Sequence, residues 1–274
     1  MVMKNVLGIF RAACFSPGMI ERDEAILCAV AQRLRDVGYD VTLVREEEFT
    51  ADTPMPDVVF HMTRSPRALD ILQGWQARGC RVVNSVEGIR GVERTALARR
   101  CAAQAISTPK TWIVQTAMMT TSDIAFPCWV KRTGTCAQEH DDVCRVDDAD
   151  AYRQCLERFH ARGIEEVVVM EHVEGRCVKF YAVQGTDFFH CLPAYDKWEG
   201  TSLSHPTLQD GDGAEVIKRS VIAQIERHPE GLPMIYGGDA IICDGTAYLI
   251  DLNDWPSFSA CRDEAAEAIA QLFS

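Results

Sequence analysis

The first 85 residues alternate between two hydrophobic periods. The short apolar runs "NVLGIF", "DVTLV", "DVVFHM" and "RVVN" predict four β-strands. Residues 21–37 and 66–78 carry apolar side chains at helical spacing, and Gly38 and Gly79 follow them where a left-handed residue commonly ends a helix. This order predicts a small open α/β domain with a parallel sheet, whose strand ends carry loops available to a ligand.

The pattern changes near residue 107. An Ala-rich, Arg-studded segment, 92–105, predicts a helix that the sequence "STPKT" breaks at Pro109. Residues 126–146 predict a β-hairpin with Lys131 at its rim, and further strands of antiparallel character follow. The polar stretch 199–213 has no period and predicts either a flap or a substrate loop. Three other segments predict helices: 147–162, 214–227 and 262–273.

Composition and charge narrow the function classes. A chain of 274 residues that is 47% hydrophobic and 25% charged can bury a large core, and its length predicts two or three lobes. The net charge of −12, without a Lys/Arg-rich block, argues against a nucleic-acid or membrane partner. The N-terminal apolar run is too short for a signal peptide, and no run approaches the roughly 18 residues of a membrane span, so we expect a cytoplasmic protein.

The cysteines do not form a recognisable metal or redox motif. The chain has 12 of them, and no two lie within five positions of each other, so a CxxC pair is absent. We expect reduced thiols, most of them buried as small apolar side chains.

Two acids interrupt strand-like sequence in "GGDAIICDGTAYLIDLNDWPSF". Asp244 and Gly245 predict a hairpin turn that brings Asp239 and Asp251 together, and Asn253 follows on the same face as Asp251. Two carboxylates and an amide oxygen suit Mg²⁺, with Mn²⁺ as an alternative ion, and a cation would offset the repulsion of unpaired acids. The alternatives are a strand-end acid for Asp239 and an Asx turn for Asn253.

Together with "WVKR" around Lys131, these residues resemble the ATP-grasp superfamily. "RVVNS" followed by "VERTALARRCAAQAISTPKT" looks like the ribosomal-protein glutamate ligase and D-alanine ligase branches, and some features resemble inositol phosphate kinases. The resemblance covers nearly the whole chain. It implies a mixed α/β and α+β fold in which two lobes enclose a nucleotide, with an N-terminal domain and linker helix at 1–107, a lid lobe at 108–172 and a metal-bearing lobe at 173–274.

The resemblance also implies roles for individual residues. Lys131 would contact the α- and β-phosphates of ATP, and Arg94 stands where relatives usually carry a phosphate-binding Lys. Lys179 would face the γ-phosphate, although a cross-strand partner of an acid is the alternative. The remaining implied contacts are the adenine edge for Glu171, His172 and Val173, the ribose for Glu174, and the metal for Asp239, Asp251 and Asn253.

One loop departs from the family. "RTGTCAQEHDD" holds a single glycine and several acids where relatives carry a glycine-rich loop over the phosphates, so its capacity to bind anions is weakened. His140 in this loop is again similar to inositol phosphate kinases, with a solvent-facing loop histidine as the alternative.

The leading hypothesis is an ATP- and Mg²⁺-dependent carboxylate–amine ligase that forms an amide bond through an acyl phosphate. Its substrate would be a small amino acid, a peptide or a protein terminus, and many relatives are homodimers. Arg11, Arg64 and Arg262 are the candidates for binding a substrate carboxylate. The alternatives are a small-molecule kinase that phosphorylates a hydroxyl group, and a nucleotide-binding module without catalysis.

Overall fold

The protein is described by a computed structural model over residues 5–118, 123–134, 139–193 and 212–273. Its first sheet is the predicted parallel one, with the strand order β2-β1-β3-β4. Gly38 and Gly79 end the two helices of this unit with φ of 91° and 92°, as the sequence predicts. The elements are β1 (Asn5–Phe10), α1 (Ile20–Asp36), β2 (Asp40–Arg45), β3 (Val58–His61), α2 (Pro66–Ala77) and β4 (Arg81–Val83).

Two helices, not one, link this unit to the rest of the chain. They are α3 (Val86–Gly91) and α4 (Arg94–Gln104), so the predicted helix 92–105 begins two residues later and is preceded by a short helix that the pattern did not reveal. Ser85 starts α3, since its hydroxyl accepts a hydrogen bond from the Gly88 N–H at 3.0 Å. Arg94 therefore lies at the first turn of α4.

The second sheet is antiparallel, with the order β5-β8-β6-β7. The predicted hairpin 126–146 is confirmed as β6 paired with β7. Helix α5 covers one face with its buried residues Tyr152, Cys155, Leu156 and Phe159. The elements are β5 (Thr111–Gln115), β6 (Cys128–Arg132), β7 (Val143–Val146), α5 (Ala149–Ala161) and β8 (Glu166–Glu171).

The third sheet is also antiparallel, with the order β10-β9-β11-β12. Asp244 and Gly245 form the predicted turn, with φ of 48° and 74°. Most of the predicted loop 199–213 lies outside the described residues. The elements are β9 (Arg176–Val183), β10 (Phe189–Pro193), α6 (Asp212–Ile217), a π-helical turn (Lys218–Ile222), α7 (Ala223–Arg227), β11 (Ile235–Cys243) and β12 (Thr246–Asp254).

The last helix, α8 (Arg262–Gln271), packs against α1. A single apolar core joins Leu27 and Val30 of α1 with Ile269 of α8, and it continues to Trp255 and Phe258 after β12. Both aromatic residues are fully buried, so they serve packing. Each of the three sheets falls within one of the three predicted domains, 1–107, 108–172 and 173–274. The domain boundaries themselves stay a prediction. Among the described residues, no helix combines the length and apolar character that a bilayer crossing requires.

Candidate active site

The two acids of the third sheet face each other across β11 and β12. Asp239 pairs with Asp251, and both side chains are partly exposed, at 25% and 20%. The ladder shifts register between Asp239 and Ala240, which leaves Ile250 without an opposite residue. A regular hairpin around the Asp244 turn would set Asp239 opposite Ile250 and place Asp251 on the other face. The bulge at Ile250 therefore brings both acids, and Asn253 two positions further, to one face.

Each acid has a cation beside it. Lys179 Nζ lies 2.7 Å from Asp239 Oδ1, and Arg94 Nη2 lies 3.4 Å from Asp251 Oδ2. The premise that these carboxylates are unpaired is therefore wrong. The described residues bring no three His, Cys, Asp or Glu side chains together as a metal cluster, and the predicted set holds two acids and one amide. Three oxygen-bearing groups on one face fit a hard cation such as Mg²⁺, and their ligand role stays a prediction.

Lys179 lies opposite Asp239 in the β9–β11 ladder, which is the cross-strand arrangement the sequence offered as an alternative. Burial lowers the pKa of Lys179, but the nearby Asp239 carboxylate and its hydrogen bond outweigh that effect, so the pKa is raised. The ammonium group stays charged and is held on the same face as the two acids.

Lys131 connects the second and third sheets. Its Nζ donates to the Ile250 carbonyl at 2.7 Å and lies 3.9 Å from the Met170 sulfur. Burial lowers the pKa of Lys131, while Asp251 raises it and Arg94 lowers it further. The contact therefore falls on the bulged residue of β12.

Arg94 joins the acids to the loop that follows β6. Its backbone N–H donates to Gly134 at 3.2 Å, and its Nη1 donates to the Arg132 carbonyl at 3.0 Å. The Arg94 side chain is 8% exposed and lines a cleft between α4 and the two antiparallel sheets. Lys131 and Asp251 line the same cleft, so three of the predicted site residues converge there.

The predicted adenine-binding segment connects β8 to β9. The Glu171 N–H donates to Lys110 O at 2.9 Å, and the His172 N–H donates to Pro127 O at 3.2 Å. Within the described residues the Val173 N–H has no such partner, so Val173 is the better of the two predicted N–H donors. Adenine contacts at Glu171, His172 and Val173 stay predictions.

The Glu174 side chain is 91% exposed to solvent, and His172 contacts its carboxylate. His172 Nε2 lies 3.0 Å from Glu174 Oε1, and Trp129 Nε1 donates to His172 Nδ1 at 3.1 Å. Because Nδ1 accepts a hydrogen bond from the Trp129 N–H, Nε2 carries the ring proton and donates it towards Glu174. This relay orients the predicted ribose-binding acid.

The three arginines proposed for substrate have different surroundings. Arg11 is ion-paired with Asp23 at 2.9 Å and donates to the Trp255 carbonyl, also at 2.9 Å. Arg64 is ion-paired with Asp254 at 2.6 Å, while its buried Nε and Nη1 have no partner among the described residues. Arg262 begins α8, and its buried Nε is likewise without a partner there. Arg64 and Arg262 thus retain donors, whereas Arg11 fixes the N-terminal loop to the end of β12.

Sequence reasoning missed several polar residues that hold these elements together. The buried Glu46 carboxylate accepts the N–H groups of Ala12, Arg64 and Ser65, which fixes the loops after β1 and β3. Asn84 exchanges two hydrogen bonds of 2.8 Å with the backbone of Ile235 on β11. Asp254 is the buried partner of Arg64. The asparagine at the end of "RVVN" was the available signal, since a polar residue ending a buried strand needs a partner.

Solved structures share this architecture along the whole chain. An ATP-grasp RimK domain protein from Sphaerobacter thermophilus is 15% identical, covers 98% of both chains and has a TM-score of 0.67. A D-alanine–D-alanine ligase from Bacillus anthracis, complexed with ATP, is 13% identical, with coverage of 99% and 100% and a TM-score of 0.67.

A D-alanyl-alanine synthetase A from Vibrio cholerae gives the same picture, with 12% identity, coverage of 99% and 97%, and a TM-score of 0.70. No family model and no curated protein matches the sequence. The agreement over the full length confirms the predicted mixed α/β fold class. The chain has the fold of the ATP-grasp superfamily.

Proposed function

We propose that this protein is an ATP-dependent carboxylate–amine ligase that forms an amide bond through an acyl phosphate. The observation that carries the proposal is the convergence of Asp239 and Asp251 with three cations, Lys131, Lys179 and Arg94, between two antiparallel sheets. Such a set of charges suits a polyphosphate and its counter-ion, and the solved structures with this fold include ligases.

The proposed reaction has two steps. A carboxylate oxygen of the first substrate attacks the γ-phosphorus of ATP, the bond to the β-phosphate oxygen breaks, and ADP leaves. The amine of the second substrate then attacks the acyl carbon, inorganic phosphate leaves with the bonding electrons, and the amine loses its proton. Neither step needs a nucleophile from the protein.

The cations would act by position and charge. Lys131 and Arg94 reach the cleft from β6 and α4, where they would hold the α- and β-phosphates. Lys179, with its raised pKa, keeps its charge and would stabilise the γ-phosphate as it transfers. Both lobes contribute a cation, so the phosphates would be held only when the lobes face each other.

Asp239, Asp251 and Asn253 would hold Mg²⁺, with Mn²⁺ as an alternative ion. When bound, the ion would offset phosphate charge and orient the phosphates. Lys179 and Arg94 already lie beside the two acids. When Mg²⁺ binds, each carboxylate would therefore either leave its side-chain cation or contact both that cation and the metal ion.

The substrate is proposed to be a small amino acid, a peptide or a protein terminus. Arg64 and Arg262 support this, because their buried Nε groups are donors without partners among the described residues and a carboxylate would satisfy them. The proposal extends to a cytoplasmic protein, with a homodimer as its assembly.

The test is ATP turnover against a panel of amino acids, peptides and polyols, with ADP and free phosphate measured separately. We expect both products only when a carboxylate and an amine are present together. ADP with a phosphorylated product and no free phosphate would contradict the ligase and make the protein a kinase. ATP binding by calorimetry without any turnover would make it a binding module.

Asp251→Asn is the decisive variant, and Asp244→Asn is its matched control. Asp244 lies in the turn of the same hairpin, and asparagine tolerates its left-handed backbone. Asp251→Asn should lower Mg²⁺-dependent turnover by on the order of 100-fold, because it replaces a charged carboxylate that would hold the Mg²⁺ with a neutral amide. Asp244→Asn should leave turnover unchanged, and equal activity in the two variants would contradict the metal assignment.

A further inference from the structure

The chain itself supplies partners for the two acids of the candidate active site. Lys179 Nζ lies 2.7 Å from Asp239 Oδ1, and Arg94 Nη2 lies 3.4 Å from Asp251 Oδ2. The other carboxylate oxygen of Asp251, Oδ1, accepts a hydrogen bond from the Leu252 N–H at 3.1 Å. Both oxygens of Asp251 and one oxygen of Asp239 are therefore engaged by groups of the chain.

The two cations are held to different degrees. The Lys179 side chain is 39% exposed and reaches Asp239 from the neighbouring strand β9, so its long flexible stem can turn the ammonium towards another anion. The Arg94 side chain is 8% exposed, and its Nη1 donates to the Arg132 carbonyl at 3.0 Å, which keeps the guanidinium in place. Its buried Nε has no partner among the described residues, so Arg94 retains a donor for a phosphate oxygen.

A metal ion and a polyphosphate would meet this arrangement differently. A divalent cation alone would have to displace Lys179 and Arg94 from the carboxylates or bind beside them, and repulsion between like charges opposes both. A polyphosphate offers oxygens to the same two cations and would draw them away from the acids. The carboxylates would then be available to the metal ion.

We infer that Lys179 and Arg94 keep the metal site closed to a divalent cation until a nucleoside triphosphate takes up their charges. Metal and nucleotide therefore bind with positive coupling, and each raises the affinity of the chain for the other. The inference rests on the proposed function for the identity of both ligands. It adds that the chain selects the metal–nucleotide pair over either ligand alone.

The experiment first measures the binding of Mn²⁺ alone to the full chain, by the loss of the free-ion signal in electron paramagnetic resonance. The wild type should bind Mn²⁺ weakly. Lys179→Met should bind Mn²⁺ about five- to tenfold more tightly, because the competing ammonium and its repulsion are both removed. Equal Mn²⁺ affinities of the wild type and this variant would overturn the inference.

Two controls show where the added affinity comes from. Asp239→Asn in the Lys179→Met background should abolish the gain, because it removes the acid that the first substitution frees. Lys218→Met removes a lysine that lies 3.6 Å from Glu215 on the far side of the sheet from the acids, and it should bind Mn²⁺ as the wild type does. A gain that survives Asp239→Asn, or an equal gain in Lys218→Met, would mean that net charge alone is responsible and would overturn the inference.

Arg94→Met tests the second ion pair independently. It should tighten the binding of Mn²⁺ by a similar factor, since Asp251 then loses its cation. Circular dichroism checks that each variant folds, and the partly exposed Lys179 makes Lys179→Met the variant that decides if Arg94→Met does not.

A non-hydrolysable ATP analogue tests the coupling and separates this inference from the proposed function. Water proton relaxation reports Mn²⁺ held on the protein, and the wild type should hold it with the analogue at concentrations where Mn²⁺ alone stays free. Equal retention with and without the analogue would overturn the inference even where ADP and phosphate production supports the ligase. The expected Mn²⁺ results in a chain that shows no ligase turnover would support this inference and contradict the proposed function.

Discussion

The Lys131 ammonium lies 2.7 Å from the backbone carbonyl oxygen of Ile250. Ile250 is the residue of β12 that has no opposite residue on β11. The second sheet thus reaches the third through a buried cation and a bulge. The same bulge turns Asp251 to the face of Asp239. One irregular residue therefore positions both the acids and the lysine of the proposed site.

Lys131→Met should separate nucleotide binding from folding. Methionine keeps the length of the side chain but removes the charge, so the ATP dissociation constant measured by calorimetry should rise about 10- to 100-fold. Urea unfolding should show no loss of stability, because the desolvation of a buried ammonium is removed as well. Lys110→Met, at an exposed lysine, is the control and should bind ATP normally. Unchanged affinity in Lys131→Met would contradict the phosphate role.

The sequence predicted which acids meet but not why they share a face. Asp244 and Gly245 identify the turn, and apolar alternation identifies the two strands, because both signals are local. The bulge at Ile250 is not local, since it depends on how β12 pairs with β11. The same limit applies to the cations beside the acids, which come from β9 and α4 and are distant in sequence.

The arginine predictions show a second limit of sequence reasoning. Arg11 and Arg64 follow the strands β1 and β3, where a ligand site is expected, but charge type alone does not distinguish a substrate contact from an ion pair. Asp23 lies 12 residues from Arg11 in sequence, and Asp254 lies 190 residues from Arg64. Only the fold brings each acid close to its arginine.

Gly238→Ala should disturb the site through steric contact. A Cβ there would lie 2.5 Å from Phe180 Cζ and 2.7 Å from the Asp251 carbonyl oxygen, so a neighbour has to move. We expect a loss of about 1–3 kcal/mol in the free energy of unfolding by urea. Gly74→Ala on α2 is the matched control, because a Cβ there meets no atom within 4 Å. That variant should gain about 0.5–1 kcal/mol, and equal effects at both glycines would contradict the steric argument.

The Arg64–Asp254 pair should be sensitive to losing one partner. Its side chains are 5% and 1% exposed, so Arg64→Met or Asp254→Asn should each cost about 3–5 kcal/mol by leaving a buried polar group unpaired. The double variant should cost less than the sum of the two, which a double-mutant cycle measures directly.

The exposed Arg90–Asp70 pair is the control for this cycle. Its side chains are 43% and 71% exposed, so removing either should have little effect. Additive losses for the buried pair would mean that Arg64 and Asp254 are not coupled.

His61 should make stability depend on pH. Its Nε2 donates to the Asn84 backbone carbonyl at 2.9 Å, and its Nδ1 lies 2.8 Å from the Thr63 hydroxyl. Burial lowers the pKa of His61 to about 4, from 6.5 for an ordinary histidine. Between these values the unfolded chain binds the extra proton, so stability is lost as the pH falls from 6.5 towards 4.

The measurement is urea unfolding at about pH 7.5 and about pH 5, where His61 should account for a loss of about 2 kcal/mol. His61→Gln removes the titrating group, so this part of the loss should disappear. His228→Gln changes an exposed histidine and should keep the full pH dependence. An unchanged loss in His61→Gln would contradict the assignment.

The packing of α8 against α1 has a consequence for cooperativity. Leu27 and Ile269 belong to one core although they come from the first and last helices, and Trp255 extends that core to the strand bearing Asp251. The apolar core beside the N-terminal parallel sheet is therefore shared, because side chains of the C-terminal lobe form part of it. Denaturant should melt the first and last thirds of the chain in one transition, and ligands bound at the acids should protect amide hydrogens of α1 from exchange.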